Sequence, residues 1–143
     1  MITHIKDHKN LYAIIIKNEF NEEGIHFVTP DDLSQQMAYM NHKKDKVIPP
    51  HYHNPVERQV IYTQEVLFIK KGILRVDIYN NENEYYESHL LRKGDTILLI
   101  SGGHGFKVIE DLEMIEVKQG PFSGELDKTR FVGINDGDVK VCD

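Results

Sequence analysis

The sequence predicts an all-β sandwich or barrel. Short runs rich in β-branched and aromatic residues follow one another along most of the chain, and clusters of Gly, Pro, Asn and Asp separate them at regular intervals. Several runs alternate between apolar and polar residues, as strands with one buried face do. Strands with turn signals this regular are typical of sandwiches and barrels. With 143 residues, the chain has the length of a single domain.

The first strands are expected in the N-terminal third of the chain, at residues 11–17, 25–29 and 37–41. Before the last of these, Thr29-Pro30-Asp31-Asp32 has the composition of a helix start, with a capping hydroxyl, a proline in the first turn and two acids. We therefore expect a short helical turn near residues 30–34.

The middle of the chain contains the clearest strand patterns, with turn residues between them. The expected strands are 47–53, 59–70, 73–79, 85–91, 96–100, 104–109 and 112–119. Lys71-Gly72 and Glu110-Asp111 are predicted to be tight turns. If Glu65 faces inward, Leu67 and Ile69 do so as well, because successive side chains of a strand alternate between its faces. The pattern fades after residue 120.

The chain is expected to form one domain over residues 1–143, with its barrel core at about 37–119. The N-terminal strands 11–29 and the C-terminal tail 122–143 are expected at the periphery. Residues 11–16 are apolar on both faces and would expose a self-associating edge if unpaired. We therefore expect a homodimer formed through the N-terminal strands.

Composition and charge exclude several classes of function. A net charge of −6 argues against a nucleic-acid partner. No apolar run approaches the roughly 20 residues that a membrane-spanning helix needs. The first residues lack the basic and then apolar order of a signal peptide. Cys142 is the one cysteine, so no internal disulfide forms. These features predict a cytoplasmic protein with neither nucleic acid nor membrane as a partner.

Two histidines stand two positions apart, directly after a pair of prolines. In a strand, residues two apart share a face, so His51 and His53 would present both imidazoles to one point, as a divalent metal needs. Pro49-Pro50 disfavours a helix there. The pair indicates a metal site more strongly if a carboxylate and a third histidine reach the same point from neighbouring strands.

These and later residues resemble the two motifs of the cupin superfamily. In the first, an HxH pair precedes a Glu that is followed, after six residues, by Gly, as His51-Tyr52-His53 and then Glu65 and Gly72 are here. The second begins with Gly-Asp and ends with His, as do Gly94-Asp95 and His104. The resemblance implies a double-stranded β-helix (jelly-roll) barrel that binds a metal through His51, His53, Glu65 and His104.

The sequence departs from the cupin pattern in two places. The interval between His53 and Glu65 is longer than the family's, which makes Glu57 an alternative carboxylate, but no glycine follows Glu57 at the distance of the motif. The second motif lacks its usual proline and is one residue short before His104. Gly102-Gly103 can accommodate a shortened turn, because glycine adopts backbone angles that other residues avoid.

Three imidazoles and a carboxylate suit one divalent transition-metal ion, which could be Zn, Fe, Mn, Ni or Co, and the remote Cys142 leaves no thiolate for the site. The ligand types do not select among these metals. Two other interpretations stay open. The histidines can be ordinary polar residues of strands, or a cupin can keep these residues without using a metal.

Four further polar residues are candidates near the site. Lys118 and Gln119 end the last core strand and can reach a ligand at the mouth of a barrel, although a solvent-facing strand end is the alternative. Arg58 and Tyr62 precede Glu65 on the chain. We expect catalytic roles for Glu65, Lys118 and Tyr62, and ligand binding by Arg58 and Gln119.

The resemblance implies a metal-dependent enzyme that acts on a small oxygen-rich substrate, such as a sugar derivative or keto acid, as an isomerase, epimerase or oxygenase. A non-catalytic cupin that binds or senses a small ligand is the alternative, because the fold does not choose between these functions. A metal-independent isomerase or epimerase with a histidine general base is a further variant. That variant predicts a histidine paired with a carboxylate.

Overall fold

The strands form a mixed seven-stranded sheet that curls into a half-barrel, together with a separate two-stranded sheet. The structure is a computed structural model that describes residues 1–142. The all-β prediction is confirmed, and the curled sheet is consistent with a barrel or jelly roll. Within the described residues, no helix is long and apolar enough to cross a lipid bilayer.

Nine strands and two 3₁₀ helices occur in the described chain. The strands are β1 (Ile2–Lys6), β2 (Leu11–Ile16), β3 (Gly24–Phe27), β4 (Ala38–Asn41), β5 (Glu65–Tyr79), β6 (Tyr85–Arg92), β7 (Thr96–Leu99), β8 (Gly103–Lys118) and β9 (Val141–Cys142). The 3₁₀ helices are Gly124–Asp127 and Asp136–Asp138. The large sheet has the order β1-β2-β7-β5-β6-β9, β8 pairs with β5, and β3 pairs with β4.

Two long strands, β5 and β8, replace four of the predicted shorter strands, namely 59–70, 73–79, 104–109 and 112–119. The predicted tight turns at Lys71-Gly72 and Glu110-Asp111 are wrong, because the two strands stay paired through both positions, with register shifts between Ile69 and Leu74. Gly72 adopts a φ of 83°, and a Cβ there would lie 2.1 Å from the carbonyl oxygen of Asp111. The glycine therefore bends a continuous ribbon and does not reverse the chain.

The bend brings the two ends of the β5–β8 ribbon together. A strand rises about 3.3 Å per residue, so the ends of β5 would lie roughly 45 Å apart if it were straight. Glu65, the first residue of β5, nevertheless contacts His104, which pairs with Ile78 near the other end. The ribbon thus curls back on itself, and this curl forms the wall of the half-barrel.

The inner face of the half-barrel is apolar, as the alternation predicts. Buried residues of β5 form one core cluster with residues of β2, β6 and β7; the β5 members are Leu67, Ile69, Leu74, Val76 and Ile78. A second cluster joins the opposite face of β2 and β7 to Val28 and Met37, the first and last residues of the loop between β3 and β4.

β2, which we expected at the periphery, lies between β1 and β7. Ala13 and Ile15 belong to the first core cluster, and Ile14 and Ile16 belong to the second. The strand is apolar on both faces because both faces are buried. Both of its edges are paired, so it presents no edge for self-association.

The loop between β3 and β4 contains a single hydrogen-bonded turn where we expected a short helical turn near residues 30–34. The Leu33 N–H donates to the Pro30 carbonyl at 3.3 Å, and no helix follows. The Thr29 hydroxyl donates to Gln36 at 2.7 Å and accepts from the Met37 N–H at 3.2 Å. Thr29 therefore joins the two ends of the loop and does not cap a helix, so the helical prediction is wrong.

Residues 43–62 contain no strand, and every one of them is exposed. The predicted strand 47–53 and the first part of the predicted strand 59–70 are therefore absent. Pro49, Pro50 and Pro55 supply no backbone N–H for a ladder, and no strand lies beside the segment in the described chain. We call residues 43–62 the exposed segment.

The C-terminal tail covers the second half of β5. The Ile134 N–H donates to the Tyr79 hydroxyl at 2.9 Å, and Arg75 donates to Asp136 at 3.0 Å. β9 then pairs in parallel with β6. The tail thus buries Arg75 and Asp77, which face away from the inner core cluster.

Candidate functional site

Residues from both ends of the curled ribbon meet at the mouth of the half-barrel. Glu65 begins β5 and pairs in register with Lys118 at the end of β8, whereas His104 lies at the start of β8. The Glu65 Oε2 and His104 Nε2 atoms are 3.3 Å apart. The Glu65 side chain is 13% exposed and that of His104 is 32% exposed, so the pair is reachable from solvent. We call these three residues the mouth cluster.

The surroundings of Glu65 favour its ionised form. The hydrogen bond from His104 is the largest cause that holds the pKa of Glu65 below its ordinary value, and the positive charges of His104, Lys118 and Lys128 act in the same direction. Burial of the carboxylate opposes them. Glu65 is therefore a carboxylate at neutral pH, able to bind a cation or to accept a proton.

Lys118 lies between two further carboxylates. Its Nζ atom is 3.8 Å from Glu116 and 3.9 Å from Asp127. The Thr63 hydroxyl donates to Asp127 at 2.7 Å. The sequence did not indicate Asp127 or Lys128, because both lie beyond residue 120, where no strand or motif pattern relates them to Glu65.

Two glutamines fix the strand ends beside the cluster. The buried Gln64 side chain accepts from the Ser34 hydroxyl at 3.3 Å and from the Gln35 N–H at 3.1 Å, pointing away from Glu65 as the alternation predicts. The Gln119 N–H donates to the Gln64 carbonyl at 3.1 Å. The Gln119 side chain donates to the neighbouring Gly120 carbonyl at 3.3 Å. These contacts anchor the backbone on either side of the mouth.

His51 and His53 lie together on the exposed segment. Their ring centroids are 5.5 Å apart with an interplanar angle of 76°. The Nδ1 atom of His51 is 3.0 Å from the Pro49 carbonyl. When Nδ1 carries the proton, this hydrogen bond leaves the Nε2 lone pair of His51 free to bind a metal.

One chain presents the four expected ligands as two separate pairs. Glu65 and His104 meet at the mouth, whereas His51 and His53 meet on the exposed segment. Throughout residues 1–142, no group of three or more His, Cys, Asp and Glu side chains is arranged to hold a metal ion. The expected donor set is therefore not assembled within a single chain.

The other expected site residues also lie on the exposed segment. Arg58 donates only to the nearby Val56 carbonyl, at 3.3 Å, and the Tyr62 residue is 72% exposed. Glu57, the alternative carboxylate, is exposed as well. In the described chain, none of the three forms a hydrogen bond or an ion pair with the mouth cluster.

Comparison of the chain with protein-family models, with curated proteins and with solved structures finds no match. The resemblance to cupins thus rests on the motif residues and on the curled half-barrel that places Glu65 beside His104.

Two surface cavities lie outside the mouth cluster. One of about 450 Å³ is lined by the β3–β4 hairpin ends and residues 42–46. The other, of about 250 Å³, lies between the end of β2, Tyr39 and Phe68. Neither is lined by an expected site residue.

Proposed function

We propose that this protein is a cupin-type jelly roll that holds one divalent transition metal and acts as an enzyme on a small oxygen-rich substrate. The observation that carries the proposal is the 3.3 Å contact between Glu65 and His104. These residues occupy two different motif positions and come from opposite ends of the ribbon, so only the curl of the barrel brings them together.

The donor types fit such an ion. An ionised carboxylate and three imidazoles are borderline ligands that suit Zn, Fe, Mn, Ni or Co. The arrangement within one chain fits less well, because His51 and His53 lie apart from Glu65 and His104. A bound ion would polarise an oxygen atom of the substrate.

The residues at the mouth suggest the class of substrate. Lys118 and Lys128 both act on Glu65 by their positive charge, so each can offer an ammonium group to an oxygen atom of a substrate that binds beside the carboxylate. Glu65 can accept a proton from a carbon beside a carbonyl, which is the step that isomerases and epimerases need. A sugar derivative or a keto acid offers both features.

The test compares two His–carboxylate pairs. Purified protein from a metal-replete expression is expected to hold about one equivalent of transition metal per chain. Glu65→Gln and His104→Ala should each lower the metal content at least tenfold. Glu87→Gln is the matched control, since Glu87 lies 2.9 Å from His89 away from any motif. Loss of metal from the control variant, or no metal in the wild type, contradicts the proposal.

The same contact favours a second candidate, a metal-independent isomerase or epimerase in which Glu65 orients His104 as the general base. Turnover of sugar phosphates and keto acids, followed by mass change or isomer ratio, separates the two candidates. Activity that persists in a strong chelator supports the metal-independent enzyme. Saturable thermal stabilisation without any turnover supports a ligand-binding or sensing protein.

A further inference from the structure

The first part of β8 presents exposed apolar side chains on the inner face of the half-barrel. Residues that pair across two antiparallel strands lie on the same face of the sheet. His104, Phe106 and Val108 pair with three β5 residues of the inner core cluster, namely Ile78, Val76 and Leu74. These three partners are buried, whereas Phe106 is 40% exposed and Val108 is 56% exposed. We call Phe106 and Val108 the apolar strip.

The inner face is the concave side of the ribbon. Glu65 lies on the same face as Leu67 of the inner core cluster, because residues two apart in a strand share a face. His104 lies on this face as well, near the other end of the ribbon. Their side chains approach within 3.3 Å of each other, which requires a face that curves toward itself. The apolar strip therefore faces the inside of the half-barrel, where a small molecule reaches it more readily than the flat surface of another protein does.

The apolar strip continues directly from the mouth cluster. The ring centroids of His104 and Phe106 are 5.2 Å apart, and the rings are stacked with an interplanar angle of 30°. A strand rises about 3.3 Å per residue, so the distance along β8 from His104 to Val108 is roughly 13 Å. This length accommodates a polar head group at the mouth cluster and an aromatic ring beside it.

The strip discriminates between the two substrate classes named above. The side chains of Phe106 and Val108 offer no hydrogen-bonding group, so a hydroxyl group that lies on them loses its water partners and gains none. A sugar carries hydroxyl groups around its whole ring, whereas a keto acid can carry its oxygen atoms at one end. An aromatic ring buries apolar area on the strip, and its offset stacking on Phe106 adds a further favourable contribution.

We propose that the substrate is a keto acid with an aromatic ring, which stacks on Phe106 while the oxygen atoms of the acid lie within reach of Lys118. The inference rests on the proposed function, because it takes the mouth cluster as the place of the reacting group. Phe106 and Val108 then determine specificity, since they contact the part of the substrate that does not react. Burial of that part distinguishes an aromatic substrate from a small one.

Calorimetric titration with phenylpyruvate and with pyruvate tests the preference for a ring, because these two keto acids share a head group. The wild type should bind phenylpyruvate about tenfold more tightly than pyruvate, or better. It should also bind phenylpyruvate more tightly than glucose 6-phosphate. Equal affinity for the two keto acids, tighter binding of the sugar phosphate, or no binding of phenylpyruvate overturns the proposal.

Two pairs of variants test where the ring lies. Phe106→Ala should lower the ratio of the phenylpyruvate affinity to the pyruvate affinity about tenfold. Phe68→Ala is the matched control, because Phe68 is 41% exposed but lies on the opposite face of the sheet, beside the smaller surface cavity. Val108→Asp should lower the ratio as well, with Val117→Asp as its control, since Val117 is 55% exposed on the opposite face. A ratio that falls in the controls but not in Phe106→Ala and Val108→Asp overturns the proposal.

Metal content and turnover separate this inference from the proposed function. If the protein holds a metal and turns over keto acids, but Phe106→Ala leaves the affinity ratio unchanged, the inference fails and the proposed function stands. If Phe106→Ala lowers the ratio in a protein that holds no metal and has no turnover, the aromatic subsite stands and the enzymatic function fails. If the wild type lacks the ring preference and sedimentation shows a dimer that Val108→Asp dissociates, the strip is a contact between chains and the proposal is overturned.

Discussion

The two halves of β5 carry polar clusters of opposite kinds. In the second half, Arg75 donates to Asp77 at 2.8 and 2.9 Å and to Asp136 at 3.0 Å, and the Ser88 hydroxyl donates to Asp77 at 2.5 Å. The tail buries this cluster. In the first half, Glu65 has His104 as its partner, and the histidine stays accessible from solvent.

The difference shows how polar groups on one strand come to serve stability or binding. In the Arg75 cluster, each carboxylate oxygen of Asp77 accepts a hydrogen bond from the guanidinium, so no strong acceptor is left for a ligand. At the mouth, the carboxylate of Glu65 is ionised, and both it and its partner His104 are partly exposed to solvent. A ligand can therefore complete the second cluster but cannot enter the first.

Breaking the Arg75 cluster should have the largest effect on stability. Arg75→Ala leaves Asp77 buried without its cationic partner, which is expected to lower the free energy of unfolding by about 3–5 kcal/mol. Urea denaturation followed by circular dichroism measures the change. Lys107→Ala is the control, since Lys107 is half-exposed and contacts only Asp136 of the cluster. A loss below about 1 kcal/mol for Arg75→Ala would show that the Arg75 cluster is not a structural one.

A substitution at Gly72, the bend between the two halves of β5, should have the next largest effect on stability. At Gly72 the backbone φ is 83°, which an alanine rarely adopts, and the Cβ of Gly72→Ala would lie 2.1 Å from the Asp111 carbonyl oxygen. We expect a loss of about 2–3 kcal/mol, measured by urea denaturation, because backbone strain and the clash add. Gly124→Ala provides the matched control, with a φ of 65° and no heavy atom within 4 Å of its Cβ. Equal losses for both variants would mean that the close approach to β8 contributes nothing.

Removing the charge of Glu65 should lower stability less than Arg75→Ala or Gly72→Ala does. It should nevertheless abolish the function of the mouth cluster. Glu65→Gln keeps the shape of the side chain, and its partner His104 stays accessible to water, so we expect a loss of at most about 1 kcal/mol. Metal content or turnover should fall at least tenfold in the same protein. If Glu65→Gln destabilises the fold as much as Arg75→Ala does, then the mouth cluster is structural and the contrast between the two halves disappears.

The sequence predicts the strand faces well but not the bend between them. Leu67 and Ile69 face the core as expected, because a period of two is a local property of the chain. The sequence predicts a turn at Gly72, because a glycine gives the same local signal in a hairpin and in a bent, bulged strand. Only the pairing of β5 with β8 on both sides of the glycine distinguishes them.

The two motifs predict one contact of the candidate site and miss another. Motif spacing indicates Glu65 and His104, and the two side chains lie 3.3 Å apart. The surroundings of Lys118 were not predictable, because Asp127 belongs to a tail without strand periodicity. His51 and His53 are expected beside Glu65 only if residues 47–53 form a strand, and in the described chain the segment that contains Pro49, Pro50 and Pro55 joins no sheet.

Acid should weaken the contact between the Arg75 cluster and Asp136 of the C-terminal tail, and this is the smallest effect expected. Hydrogen bonds from Lys107 and then Arg75 hold the pKa of Asp136 below its ordinary value of 3.8. The folded state therefore binds fewer protons at this carboxyl than the unfolded state does, so the contribution is complete above pH 3.8 and is lost as the pH falls below it. Hydrogen exchange at Ile134 should accelerate in that range, because this N–H is bonded to Tyr79 only while the tail is docked. Asp136→Asn should exchange quickly at neutral pH as well, whereas an unchanged rate in that variant would show that Asp136 does not hold the tail.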